Sequence, residues 1–172
     1  MKKWPIFLIA SILATSVGAV IAVSADDASS GDSLLSTGKL PAGYRDWKLI
    51  SVAHEEGNLN DLRAVLGNDI AVQAYREGKL PFPDGAIIAR LAWSYVPSEE
   101  NNKVFGRVQS YVAGSPTNVQ FMVKDTKKYA STGGWDFAQF NDGKPAKIVV
   151  NDCFLCHVPV KDRDFIFTRY AP

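Results

Sequence analysis

The chain has 172 residues, 47% hydrophobic and 22% charged, a composition that suits one globular domain and excludes a disordered or collagen-like chain. Its 19 Lys and Arg stand against 18 Asp and Glu, a formal charge of +1. There is no long run of either sign, so the electrostatic footprint of a nucleic-acid binder is missing and no nucleic-acid partner is expected.

Lys2 and Lys3 precede an apolar run from Trp4 to Val23, and Val23-Ser24-Ala25 is a small-residue exit before Asp26. This reads as a secretory signal peptide over 1–25. An uncleaved N-terminal membrane anchor is the alternative, since about twenty apolar residues just span a bilayer. Thr15, Ser16 and Gly18 dilute the run and favour cleavage. Either way the domain is expected to be exported, into a periplasm. Residues 26–39 are polar, small and aperiodic, the composition of a flexible segment, and the folded domain is expected over 40–172.

Trp47 to Val52 has the β-branched character of a strand. From Leu59 to Lys79, Leu62, Val65 and Leu66, then Ile70, Val72 and Tyr75, recur at helical spacing, and Gly67-Asn68 breaks them into two short helices. Pro81-Phe82-Pro83-Asp84-Gly85 is a turn, since proline fixes φ and Asp-Gly supplies a positive-φ position. Strand character follows in Ala86 to Val96, Val104 to Val112 and Asn118 to Lys124. In the first of these Ile88, Arg90, Ala92 and Ser94 share a face, which sets Arg90 among small or apolar neighbours. Trp135 to Phe140 alternates again, and Asn141-Asp142-Gly143-Lys144-Pro145 is a second turn. The fold expected is α+β: an antiparallel sheet with short helices and a C-terminal helix that carries the motif described next.

Cys153-Phe154-Leu155-Cys156-His157 is the c-type haem attachment pattern. Two thiols three apart on one helical turn can each add to a haem vinyl group, and the next residue places an imidazole under the iron. The motif then makes Cys153 and Cys156 thioethers to one covalent haem c, and His157 the axial iron ligand. Other readings are weaker. A disulfide over so short a loop removes little entropy and leaves His157 unused. A thioredoxin-like pair belongs early in a βαβ unit, whereas this motif falls in the last twenty residues. Zinc lacks ligands, since the only other histidine is His54.

A low-spin electron carrier needs a strong sixth ligand, Met or His. After signal removal the candidates are Met122, in a strand-like run where core packing explains it, and His54, in a polar stretch where a surface role does. An open sixth position is therefore expected, suited to binding or oxidising a small molecule at iron. A simple electron-transfer cytochrome remains the alternative.

The haem motif followed by Lys161-Asp162-Arg163-Asp164-Phe165-Ile166-Phe167-Thr168-Arg169-Tyr170, together with Phe82-Pro83-Asp84-Gly85, Asn118 to Asp125 and Gly133-Gly134-Trp135, resembles the cytochrome P-460 family. The resemblance runs from about Leu40 to the C-terminus. It implies an exported, mostly β, homodimeric haem c protein with a five-coordinate iron and a vacant distal side. It also implies a small nitrogenous ligand: hydroxylamine, which some members oxidise, or nitric oxide, which the related cytochromes c′-beta bind without a clear catalytic role. Electrons from an oxidation would leave singly to a soluble cytochrome acceptor. The hydroxylamine-oxidising members carry a porphyrin-linked lysine after the strand that follows the Pro/Gly turn. Here that region, Ala92 to Ser98, has no lysine; Lys103 is the nearest downstream, and Tyr95 is an alternative. Val123 stands where those enzymes have a distal carboxylate.

Phe82, Trp93, Phe105, Phe121 and Trp135 are candidates for walling the distal side, although an aromatic in a strand is usually core. Arg90 and Arg107 are candidates for pairing with haem propionates. Lys161 to Asp164 reads as a solvated helix end held by local ion pairs.

Overall fold

The computed structural model describes residues 37–171; the expected signal peptide and most of the 26–39 segment lie outside them. In chain order the elements are β1 (Lys48–Glu55), β2 (Asp61–Gly67), α1 (Asp69–Glu77), β3 (Ile87–Pro97), α2 (Glu99–Phe105), β4 (Tyr111–Lys124), β5 (Trp135–Asn141), β6 (Lys144–Pro145) and α3 (Val150–His157). Short 3-10 turns stand at Tyr44–Asp46, Ala130–Thr132 and Val158–Arg163. The six strands form one antiparallel sheet in sequence order, each paired with its neighbour in the chain. This is the α+β architecture expected, with a helix near the C-terminus carrying the cysteine motif. Among the described residues no helix is long and apolar enough to cross a membrane.

Side chains alternate across a strand, so the sheet has two apolar faces and needs two covers. On one face Ile50, Val65, Ile88, Trp135 and Phe137 pack with Ala71, Val72 and Ala74 of α1, with Phe82 and Ile166, and with Val150, Cys153 and Phe154 of α3. On the other Leu66, Ala89, Leu91, Phe121, Ala138 and Phe140 pack under Leu40, Tyr44 and Trp47. Phe121 is 1% exposed, with edge-on contacts to Tyr44 at 5.4 Å and Phe140 at 5.8 Å between centroids. Burying a ring of that size contributes roughly 1.5–3 kcal/mol. The expected turn at Asn141–Pro145 is a two-residue hairpin with φ of 48° at Asp142 and 75° at Gly143, the left-handed pair that matches strand twist.

Two expected elements are different in the structure. The segment read as the first of two helices is β2: Leu62, Ala64 and Leu66 alternate with Arg63 and Val65 across the sheet, and a few apolar residues fit either period. The second is helical as expected, its start fixed by the Asn68 side chain, which accepts from the Ala71 N–H at 3.0 Å. The strand expected over Val104 to Val112 is broken up: Val104 and Phe105 end α2, residues 106–110 form a turn and loop, and only Tyr111 and Val112 are in a strand. Ser98 caps α2 by accepting from Asn101 N–H, Glu99 and Glu100 complement its dipole, and Gly106 ends it in the left-handed region. β4 starts only at Tyr111, and Val108 lies outside the sheet.

Candidate functional site

Helix α3 is short, with Asp152 in its first turn opposing the positive end of the dipole. It runs straight into the 3-10 turn Val158–Arg163, which stops at Asp164, whose N–H bonds back to Lys161 and Val160 carbonyls. Cys153 and Cys156 are both free thiols, the first half-buried and the second exposed. Three residues apart on a helix, they fall on one side. Burial, helped by the charges of Asp152 and Cys156, pushes the Cys153 thiol up from its ordinary value.

His157 closes the same helix. Its Nδ1 lies 2.6 Å from the Phe165 carbonyl oxygen; a carbonyl only accepts, so Nδ1 carries the proton. The rings of Phe137 and Phe167 flank the imidazole, each 5.1 Å away between centroids. Nε2 has no hydrogen bond among the described residues. Burial pushes the imidazole pKa down, against the opposing effect of the Phe165 carbonyl. The result is a neutral, oriented ring with a free Nε2 lone pair, the state a metal-ligating histidine needs.

The sheet face beneath α3 changes character along the strands. Phe137, Met122, Ile88 and Gly67 form an apolar rung across β5, β4, β3 and β2. One rung further, Gln139, Gln120, Arg90 and Val65 line up, then Asn118, Ala92 and Arg63, then Ser94, Asp61 and Glu55. These polar side chains are joined. Arg90 donates through Nη1 to Asn118 Oδ1 at 3.0 Å and Gln120 Oε1 at 3.1 Å, and through Nη2 to Asp61 Oδ2. Arg63 donates to Asp61 Oδ1 through Nη2 at 2.7 Å, and Gln120 donates to Gln139 at 2.7 Å. Burial and the neighbouring Arg63 charge push Arg90 below its ordinary value, with Asp61 opposing them.

The structure sorts the residues picked from sequence. Cys153, Cys156, His157 and Arg90 share one side of the sheet. Met122 shares it too, half-buried against that apolar cluster. Phe82 is 4% exposed between Tyr75 and Trp135 at 4.8 and 5.9 Å, in the core on that side, and Trp135 is fully buried beside it. Trp93 and Phe121 belong to the opposite cluster and are separated from the motif by the sheet. His54 faces that way as well, stacked on Tyr95 at 3.8 Å. Phe105 and Lys103 lie exposed on α2, and Arg107 is exposed and bonded to Gln109. A groove of about 420 Å³ bordered by Leu40, Tyr44, Trp93 and Phe140 is on the far side also.

Asp164 departs from the expected solvated helix end: it is 8% exposed and paired with Lys124 at 2.7 Å. Its left-handed backbone turns the side chain inward, which local charge pattern does not reveal. Asp61 and Arg63 are not legible as site residues in the sequence, because a helical period over their segment hides the alternation that puts both on the same face as Arg90.

Two thiols and an oriented imidazole on one helix, over the face of an antiparallel sheet, define a β-rich haem cytochrome rather than a helical-bundle one. Residues 41–168 match the Cytochrome P460 family, and the chain belongs to that family. Membership implies a haem cofactor, and the donor set fits one: the free Nε2 of His157 and two unpaired thiols are available on one helix. No curated protein matches the chain.

Proposed function

We propose that this chain is an exported mono-haem c cytochrome whose iron, held on one side by His157, binds or oxidises small nitrogen species such as hydroxylamine or nitric oxide. The observation that carries the reading is the His157 geometry: Nδ1 fixed to the Phe165 carbonyl and Nε2 free, one residue after Cys156. Cys153 and Cys156 would hold the porphyrin edge as thioethers. When bound, haem supplies an iron that takes up a small ligand and exchanges one electron at a time. The protein's part is to orient the imidazole, shield it with the buried Phe137 ring, and hold Arg90 through Asn118, Gln120 and Asp61 on the same side of the sheet. His54 stands on the opposite face, which supports a sixth position free of that ligand. The family resemblance supports a homodimer, and the single-electron chemistry suits a soluble cytochrome acceptor.

A second reading, gas binding without turnover, is favoured by the basic and acidic groups. Lys124 is locked to Asp164, Lys103 sits out on α2, and the Asp61 carboxylate is held by two arginines. Haem staining of the denatured chain tests attachment: the parent should stain, and Cys153→Ser with Cys156→Ser should not. Hydroxylamine-dependent reduction of a soluble cytochrome would select oxidation; nitric oxide uptake with no such reduction would select gas binding. An unstained parent chain would overturn both.

A further inference from the structure

We propose that the buried ion pair Lys124–Asp164 is a positioning device for the axial histidine, clamping the chain so that the Phe165 carbonyl meets His157 Nδ1. The inference rests on the reading of His157 as the axial residue.

Asp164 and Phe165 are consecutive non-glycine residues with φ of 53° and 65°. Such a left-handed step is disfavoured for ordinary side chains and persists only where its surroundings over-determine it. Here both carboxylate oxygens of Asp164 are occupied. Oδ1 accepts from Lys124 Nζ at 2.7 Å, and Oδ2 accepts from the Phe82 N–H at 2.8 Å. Lys124 is itself fixed at the end of β4, 2% exposed, donating also to the Gly133 carbonyl at 3.1 Å and lying 4.8 Å over the Trp135 ring. Backbone bonds from Asp164 N–H to Lys161 and from Phe165 N–H to Val160 tighten the same turn. The sheet therefore holds Asp164, and Asp164 holds the carbonyl one residue later.

A buried ion pair is weak as a source of net stability, because desolvation offsets its attraction. Its strength is directional: two charged groups with few alternatives fix one geometry. The geometry fixed here is the hydrogen bond that orients a metal-ligating imidazole and raises its basicity, so the pair acts on the iron without touching it.

The test uses the haem-loaded protein and three variants: Asp164→Asn, Lys124→Met, and the two together. All leave the cysteines intact, so haem stays covalently attached. The ferrous iron–histidine stretching band should shift to lower frequency and broaden in each variant, and in the double variant, where the net charge of the pair is unchanged, the reduction potential should rise. The double variant, which has no unpaired buried charge, should recover thermal stability towards the parent while keeping the shifted band. If the single variants fail to accumulate, the double variant alone gives the reading. A parent-like band in any haem-loaded variant, or a parent-like potential in the double variant, would overturn the proposal. A parent chain that carries no covalent haem would instead defeat the axial-ligand reading on which it rests.

Discussion

The Phe165 ring fills the space a side chain on Gly133 would need: a Cβ there would stand 2.2 Å from Phe165 Cε2, at a backbone φ of +68°. The loop before β5 and the segment after the haem motif thus fit only if residue 133 has no side chain. Gly133→Ala is expected to destabilise the fold by about 2–4 kcal/mol, through overpacking and a strained backbone together. Denaturant midpoints would show this, and a midpoint within error of the parent would contradict it.

Asp61 lies between two guanidiniums, Arg63 and Arg90, with all three side chains largely buried. Asp61→Asn leaves like charges facing each other, and is expected to cost about 3–5 kcal/mol. Adding Arg90→Gln should return a large part of that loss. Equilibrium unfolding of both variants is the check, and a double variant no more stable than Asp61→Asn alone would argue against a shared network.

Tyr75 has a buried hydroxyl with no hydrogen bond among the described residues. Burial pushes its pKa well above the ordinary phenol value, outweighing the opposing charge of Arg163. The folded chain therefore prefers the protonated form. That contribution is complete below the unfolded pKa of about 10 and is lost as pH rises past it, by up to about 1.4 kcal/mol per pH unit. Tyr75→Phe removes this alkaline loss and relieves an unsatisfied hydroxyl, with an expected gain of about 1 kcal/mol at neutral pH. Stability profiles of parent and variant that run parallel above pH 10 would refute the assignment.

His54 and its stacking partner Tyr95 face away from the motif. His54→Ala should leave the haem absorption spectrum and the rate of carbon monoxide uptake unchanged, while costing about 1 kcal/mol of stability through the lost ring contact. A change from a low-spin to a high-spin spectrum would show that the imidazole reaches iron after all.

The sequence is legible where chemistry and turn signals are dense. Cys153, Cys156 and His157 announce themselves by spacing, and the hairpin at Asp142-Gly143 by residue type. Strands β3 and β5 show clear alternation. What stays hidden is long-range. Leu62, Val65 and Leu66 satisfy a helical period and a strand period alike, and only pairing with β1 and β3 decides between them. The partner of Asp164 is 40 residues away at Lys124, and nothing near either one predicts burial. Trp93 and Phe121 look as suitable for a haem wall as Phe137 does; which side each takes depends on the parity of strands whose ends local sequence does not fix.

Because each strand pairs with its neighbour in the chain, the ladder is complete at Pro145. The sheet can therefore form before the last residues join it, since meander pairings have modest sequence separation. What those residues add is cover: Ile166 and Phe165 join the apolar cluster with Cys153 and Phe154, and the Ala171 N–H bonds to the Ile50 carbonyl at 2.9 Å, tying the end of the chain to the first strand. A chain ending at Pro145 would leave Trp135, Phe137 and Ile88 under-covered, an apolar surface prone to self-association. The topology thus allows the platform to pair before the segment with the cysteine motif docks on it.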